Sequence, residues 1–262
     1  MIGGRNGARR PMIGTSWKMN LLPSTAPRWY RTVVAGTGDL DDRDLFVLPP
    51  FPMLPAAQAS LRGTRLRWGS QDVHASDSGP HTGDVSAPML ADLGCTIAEI
   101  GHSERRRDHG ERNSVVRAKV RAAMRWGLTP LVCVGEQRPG SMQVALAVVA
   151  RQLRGAFDGF DAAELDRVVV AYEPVWAIGE GARSADAAHV GGVHLAIRRW
   201  LDRRGGTEAR VLYGGSVDAS NAPDLLAVPY VDGLFVGRAA LDPTTFVAIA
   251  TLPIASEVRW NE

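Results

Sequence analysis

The chain has 262 residues, 45% hydrophobic and 22% charged, enough apolar side chain for the core of one α/β domain under a charged, soluble surface. A formal net charge of +2, with basic residues spread along the chain, argues against a nucleic-acid partner and fits a small anionic one. No apolar stretch approaches the roughly 18 residues that cross a bilayer, and Cys95 and Cys133 lie in apolar runs, which reads as buried, reduced thiols in a cytoplasmic protein with no membrane partner.

The first ten residues are rich in Gly and Arg and lack a signal peptide's apolar region, so 1–10 is read as a disordered extension and 11–262 as the domain. Short β-type runs then alternate with helix-length segments. A strand over 12–17 precedes a helix over 24–35 that Ser24 caps. Strands over 45–48 and Leu66–Ser70 lead into an irregular stretch, 71–84, long enough to be expected in function or at an interface. A strand over 96–100, a helix over 113–126 capped by Asn113, a strand over 131–135 and a helix over 141–157 follow. Val168-Val169-Val170 opens a strand over 168–172, and Ser184 is expected to cap a helix over 184–203. The remaining elements are strands Arg210–Tyr213 and Gly233–Val236, a helix over 221–227 between them, and a last helix Pro243–Ala250 capped by Asp242.

Regular β/α alternation implies parallel strands joined by crossover helices. About eight units, with no Gly-rich dinucleotide fingerprint after the first strand, favour a closed (β/α)8 TIM barrel over an open doubly wound sheet. The interior has no linker or low-complexity tract, so a single domain is expected.

In such a barrel the loops at the strand C-termini build the site. The first strand ends at Lys18, the fourth at His102 and the sixth at Glu173, in the segment Ala171-Tyr172-Glu173-Pro174-Val175-Trp176-Ala177-Ile178-Gly179. Gly214-Gly215-Ser216 follows the seventh strand and Gly237-Arg238 the eighth. Each alone has a plain alternative: a solvated lysine, a helix-capping histidine, a strand-end glutamate facing water, a simple turn. Together and in this order, they form a kit for abstracting a proton beside a carbonyl while holding an anion. His74 and His81 lack a Cys or an evident third ligand in the sequence and read as solvated loop histidines, so no metal is expected.

Five stretches carry a resemblance: Gly14-Thr15-Ser16-Trp17-Lys18-Met19-Asn20, Gly101-His102-Ser103-Glu104-Arg105-Arg106, the segment around Glu173, Tyr213-Gly214-Gly215-Ser216-Val217 and Asp232-Gly233-Leu234-Phe235-Val236-Gly237. In kind and order they resemble the motifs of the triosephosphate isomerases. The resemblance implies that Glu173 shuttles a proton between adjacent carbons, His102 polarises the carbonyl, Lys18 offsets negative charge, and Glu104 supports Lys18. It further implies a phosphate held by backbone N–H groups at Gly179, Ser216 and the Gly237-Arg238 turn, and a lid over 174–184 that closes on the substrate. It implies a homodimer formed through the 71–84 loop, and chemistry without metal or organic cofactor.

The chain departs from that pattern at two site positions. Ser16 stands where the family carries asparagine, and Arg238 where it carries a second glycine. Both departures resemble a sister group, the erythrulose-phosphate isomerases, and imply L-erythrulose 1-phosphate to D-erythrulose 4-phosphate as the reaction, with the triose phosphates as the alternative substrate. Ser16 would vacate volume for the additional hydroxymethyl group of a four-carbon substrate. Less central are Pro80-His81-Thr82-Gly83-Asp84, in place of an aromatic-containing loop, and Ala182-Arg183-Ser184 at the far hinge of the lid.

Overall fold

The structure, a computed structural model, describes residues 9–179 and 184–253. Eight strands, β1 (Met12–Ser16), β2 (Asp44–Leu48), β3 (Leu66–Ser70), β4 (Ile97–Ile100), β5 (Thr129–Val134), β6 (Val169–Tyr172), β7 (Arg210–Tyr213) and β8 (Gly233–Val236), close into a barrel in sequence order. Closure runs through β1, which pairs in parallel with β2 and with β8. The connecting helices are α1 (Ala26–Thr37), α2 (Leu54–Leu61), α3 (Ala87–Asp92), α4 (Ser103–Asp108), α5 (Asn113–Arg125), α6 (Met142–Phe157), α7 (Ala162–Leu165), α8 (Ala187–Asp202), α9 (Ala222–Leu226) and α10 (Pro243–Ala250). This is the expected TIM barrel.

The two-residue period of a strand divides its side chains between two cores. Ile13, Val47, Ala98, Val132, Val170 and Val211 point outward against the helices. Met12, Phe46, Ile97, Leu131, Val169 and Phe235 point inward and fill the barrel. With both faces buried, the strands are nearly continuous apolar runs, and any charged residue inside one is conspicuous.

Several boundaries differ from the sequence expectation. Arg9 and Arg10 are anchored at the foot of the barrel, where Arg9 pairs with Asp232 at 3.1 Å and donates to Thr207 O, and Arg10 reaches the Asp41 carbonyl. The rest of the supposed extension, residues 1–8, lies outside the described residues. The N-cap of α1 is Thr25, not Ser24. That of α5 is Arg112, because Asn113 instead accepts from Arg106 at 2.8 Å. α8 starts after Asp186, whose carboxylate accepts the His189 N–H at 2.7 Å, and not at Ser184. Asp242 caps α10 as expected, accepting from Thr244 N and Thr245 N. Both cysteines are buried and free, and no helix among the described residues is long and apolar enough to cross a membrane.

Candidate active site

At the C-terminal ends of the strands lies a cavity of about 640 Å³ whose lining includes Ser16, Lys18, Glu99, His102, Glu173, Gly179, Ser216, Gly237 and Arg238. Every residue expected to carry chemistry therefore meets in one place.

Lys18 directly follows Trp17 at the end of β1 and has a left-handed backbone, with φ of 53°, a conformation that costs a non-glycine residue about 1 kcal/mol or more. Neighbouring amides hold it there: Gln71 Nε2 donates to the Lys18 carbonyl at 3.1 Å and Asn20 Nδ2 to the Trp17 carbonyl at 2.7 Å. Its ammonium pairs with Glu104 at 2.7 Å. Burial pulls the Lys18 pKa down, but the Glu104 hydrogen bond and the charges of Glu173, Glu104 and Glu99 outweigh it and raise the pKa above the ordinary lysine value. Burial pushes the Glu104 carboxyl up, and Lys18 more than reverses this, leaving it below the ordinary glutamate range.

His102 is the N-cap of α4, and its Nδ1 accepts the Glu104 N–H at 3.2 Å. A ring nitrogen that accepts carries no proton, so in the neutral ring the proton sits on Nε2. That nitrogen points toward the cavity base: Nε2 lies 3.5 Å from Glu173 Oε2. The turn that sets this geometry needs Gly101, because with φ of 71° a Cβ there would meet Val116 at 2.8 Å.

Glu173 ends β6, 5% exposed, and its Oε2 is buried with no hydrogen-bond partner among the described residues. A buried carboxylate oxygen left without a donor is costly, and its neighbour is the proton-bearing nitrogen of His102, too distant for a good bond. Gly214 makes room for it, since a Cβ there would stand 2.8 Å from Glu173 Cγ. Behind it, the chain from Pro174 to Ala177 is moored by Glu136, which accepts from Trp176 Nε1 at 2.7 Å and Tyr172 Oη at 3.0 Å, while Val175 N donates to the Glu136 carbonyl at 2.9 Å.

The phosphate-side expectation needs one change. Ser216 lines the cavity, but its N–H and its hydroxyl both donate to Ala177 O, at 3.0 and 2.8 Å. It clasps the loop after β6, and so does Tyr213, whose Oη accepts Ala185 N at 3.1 Å. Gly179, Gly237 and Arg238 stay at the cavity wall. Ala182 and Arg183, and with them the middle of the expected lid, lie outside the described residues.

One cavity residue went unread in the sequence. Glu99, on the inward face of β4 beside the apolar Ile97, is 2% exposed and accepts from Ser16 Oγ at 2.8 Å and Cys133 Sγ at 3.8 Å. Burial pushes its carboxyl up to about 7; His102, Ser16 and Lys18 pull the other way while the Glu173 charge adds to the rise. The available signal was a single charged residue inside an otherwise apolar strand.

His74, His81 and Asp84 gather in the 71–84 loop with ligand atoms within 4.8 Å of one another, so a third candidate ligand does accompany the two histidines. The hydrogen bond on the far side of the His74 ring has the wrong direction for a metal. A ligating histidine donates its other N–H outward, whereas His74 Nδ1 accepts the Ser76 N–H at 3.0 Å, which places the proton on Nε2, facing Asp84.

Comparison with known proteins agrees with this geometry. The family model described as triosephosphate isomerase matches residues 11–252. The triosephosphate isomerase of Xanthobacter flavus is 48% identical over 92% of this chain and 97% of its own length. That of Thermus thermophilus is 42% identical over 92% of this chain and 98% of its own. The crystal structure of triosephosphate isomerase from Bartonella henselae superposes with a TM-score of 0.80 at 38% identity, covering 92% of this chain and 97% of that one. These relatives carry the triose-phosphate name and lend no support to the erythrulose-phosphate subgroup expected from Ser16 and Arg238.

Proposed function

The chain belongs to the triosephosphate isomerase family, and from that premise we propose that it interconverts dihydroxyacetone phosphate and D-glyceraldehyde 3-phosphate. It is an isomerase, an intramolecular oxidoreductase. The observation that carries the reading is the opposition of Glu173 Oε2, buried and without a hydrogen bond among the described residues, to Nε2, the proton-bearing nitrogen of the neutral His102 ring, at 3.5 Å. A carbon acid beside a carbonyl is weak, so enolisation needs a desolvated base on the carbon and a donor already aimed at the oxygen. Glu173 takes the proton from one carbon and returns it to the next. His102 Nε2–H gives its proton to the carbonyl oxygen as charge develops and takes back the one on the neighbouring hydroxyl, and Lys18, kept charged by Glu104, offsets the enediolate and the phosphate. Gly179, Gly237 and Arg238 form the wall against which the phosphate is placed. Every proton in this scheme moves between substrate and side chain, so the reading calls for no metal or organic cofactor.

Ser16 favours a second substrate within the same reaction type. A four-carbon ketose phosphate bears a hydroxymethyl group on the reacting carbon farther from the phosphate, and a serine in place of a longer amide leaves space beside Lys18. The conversion would then be L-erythrulose 1-phosphate to D-erythrulose 4-phosphate. Measuring kcat/KM on both substrate pairs decides between them, since selectivity is the ratio of these values. Higher kcat/KM on the trioses supports the first reading, higher kcat/KM on the tetruloses the second, and turnover of neither pair would sink both.

The buried free thiols and a diffusible sugar phosphate fit a cytoplasmic setting. We infer a homodimer through the 71–84 loop, whose base at Gln71 is bonded to the backbone of Lys18.

A further inference from the structure

We propose that Ser16 and Glu99 together form a subsite for a hydroxyl group on the far side of the reacting carbons from the phosphate, and that this pair sets the substrate class. The inference rests on the four-carbon reading above and gives it a specific acceptor.

Glu99 is costly to the fold. Taking a carboxylate out of water is penalised by several kcal/mol unless a cation or several donors compensate, and among the described residues Glu99 makes no ion pair; Lys18 gives its ammonium to Glu104 instead. The partners of Glu99 are two neutral donors, Ser16 Oγ on one oxygen and Cys133 Sγ on the other. A carboxyl group has about four lone-pair positions, so accepting capacity remains on a group that lines the cavity. An apolar side chain would fill the same interior layer as Ile97 and Leu131 at no such penalty. Polarity held at this depth, on the cavity floor, therefore points to a ligand group that donates.

Its location selects which group. The proposed phosphate wall, Gly179, Gly237 and Arg238, lies after β6 and β8, whereas Glu99 comes from β4, opposite β8 in the closed order. Ser16 Oγ reaches it from β1, so the pair bridges the barrel mouth beside Lys18, His102 and Glu173. A substituent hydroxyl at this end of the substrate would donate to Glu99, beside the Ser16 hydroxyl whose own proton is already given to that carboxylate. The position of its carboxyl pKa near 7 lets Glu99 accept in one protonation state and donate in the other around neutrality.

The test uses purified wild-type, E99L, E99Q and S16N enzymes, assayed on the tetrulose phosphates and on the triose phosphates, with thermal unfolding as the check on folding. Sites that hydrogen-bond a substrate hydroxyl discriminate strongly when the pairing is lost. E99L is therefore expected to lose about 100-fold in kcat/KM on the tetruloses and at most about tenfold on the trioses, with E99Q between wild type and E99L. S16N is expected to shift selectivity in the same direction. Equal losses on both substrate pairs would overturn the subsite while leaving the four-carbon reading intact. A wild-type enzyme that turns over trioses alone would overturn that reading, and the subsite with it. If E99L fails to fold, E99Q and S16N carry the comparison, because both keep a polar group in the layer.

Discussion

In the proposed reaction Glu173 works under a tight geometric demand, since its carboxylate must reach one substrate carbon and then its neighbour from a fixed strand end. Glu173→Asp withdraws the oxygens by about one methylene, and misplacements of this size are expected to cost about 100-fold in kcat with KM little changed. Steady-state kinetics checks this, and unaltered kcat would remove Glu173 from the role of base. Glu99 supplies a prediction about stability. Its folded pKa, about 7, lies above its ordinary 4.5, so the folded state binds this proton more tightly than the unfolded state. Stability from this group is complete below pH 4.5 and is lost as pH rises through about 7. The loss amounts to roughly 3 kcal/mol at most. Glu99→Gln removes the titration, so the stability of the variant relative to wild type should rise between pH 5 and pH 8 in urea unfolding. A difference that stays flat across that range would contradict the assignment. Lys18, His102 and Glu173, the trio proposed to carry the chemistry, could be picked out in the sequence because each stands just past a strand end, where barrels place their chemistry. Glu99 was not, because its meaning depends on which face of β4 looks inward, and the short run Ile97-Ala98-Glu99-Ile100 leaves that phase open.

Among the elements, the strands could be read almost to the residue, since apolar runs bounded by Gly and Pro have little alternative in a parallel sheet. The helix starts were less legible. Ser24, Asn113 and Ser184 are all good caps by residue type, yet the competing residues Thr25, Arg112 and Asp186 hold the position once tertiary partners are counted. The short helices α3 and α7 escaped because a helix of two turns or fewer shows too little of the 3.6-residue period, and α2 escaped where α10, also of eight residues, is marked by its Asp242-Pro243 start. The network that fixes the 71–84 loop is also invisible in sequence. Lys119 of α5 meets Asp72 at 2.6 Å and Glu111 at 2.6 Å, and Arg105 joins both carboxylates. Lys119→Ala would leave the buried Glu111 and the half-buried Asp72 with only Arg105 to share, a loss expected near 3 kcal/mol, the low end for breaking a buried pair. Urea unfolding measures it, and a change below about 1 kcal/mol, the level of an exposed pair, would show the network to be effectively solvated.

At the scale of the whole molecule, the position of Lys18 ties the site to the inferred partner. The loop after β1 leaves Met19 97% and Leu22 63% exposed, next to Lys18, whose left-handed backbone is not self-supporting. Its support comes through Gln71, the first residue of the 71–84 loop, which bonds both the Lys18 and Leu48 carbonyls. A second copy packed on the loop would cover the exposed apolar side chains and at the same time restrain the segment that holds the ammonium in place. The chain is therefore expected to sediment at twice its 28.2 kDa. Replacing the loop tip, residues 78–83, by a short Gly-Ser turn should yield a monomer. In that monomer Lys18 would relax toward an ordinary backbone conformation, and kcat should fall by more than about tenfold, the scale expected when a catalytic group loses its fixed placement. Sedimentation of both proteins and their kcat values test the two halves separately. A wild-type monomer would end the dimer inference, and a fully active loop-replaced monomer would show that the barrel alone holds Lys18.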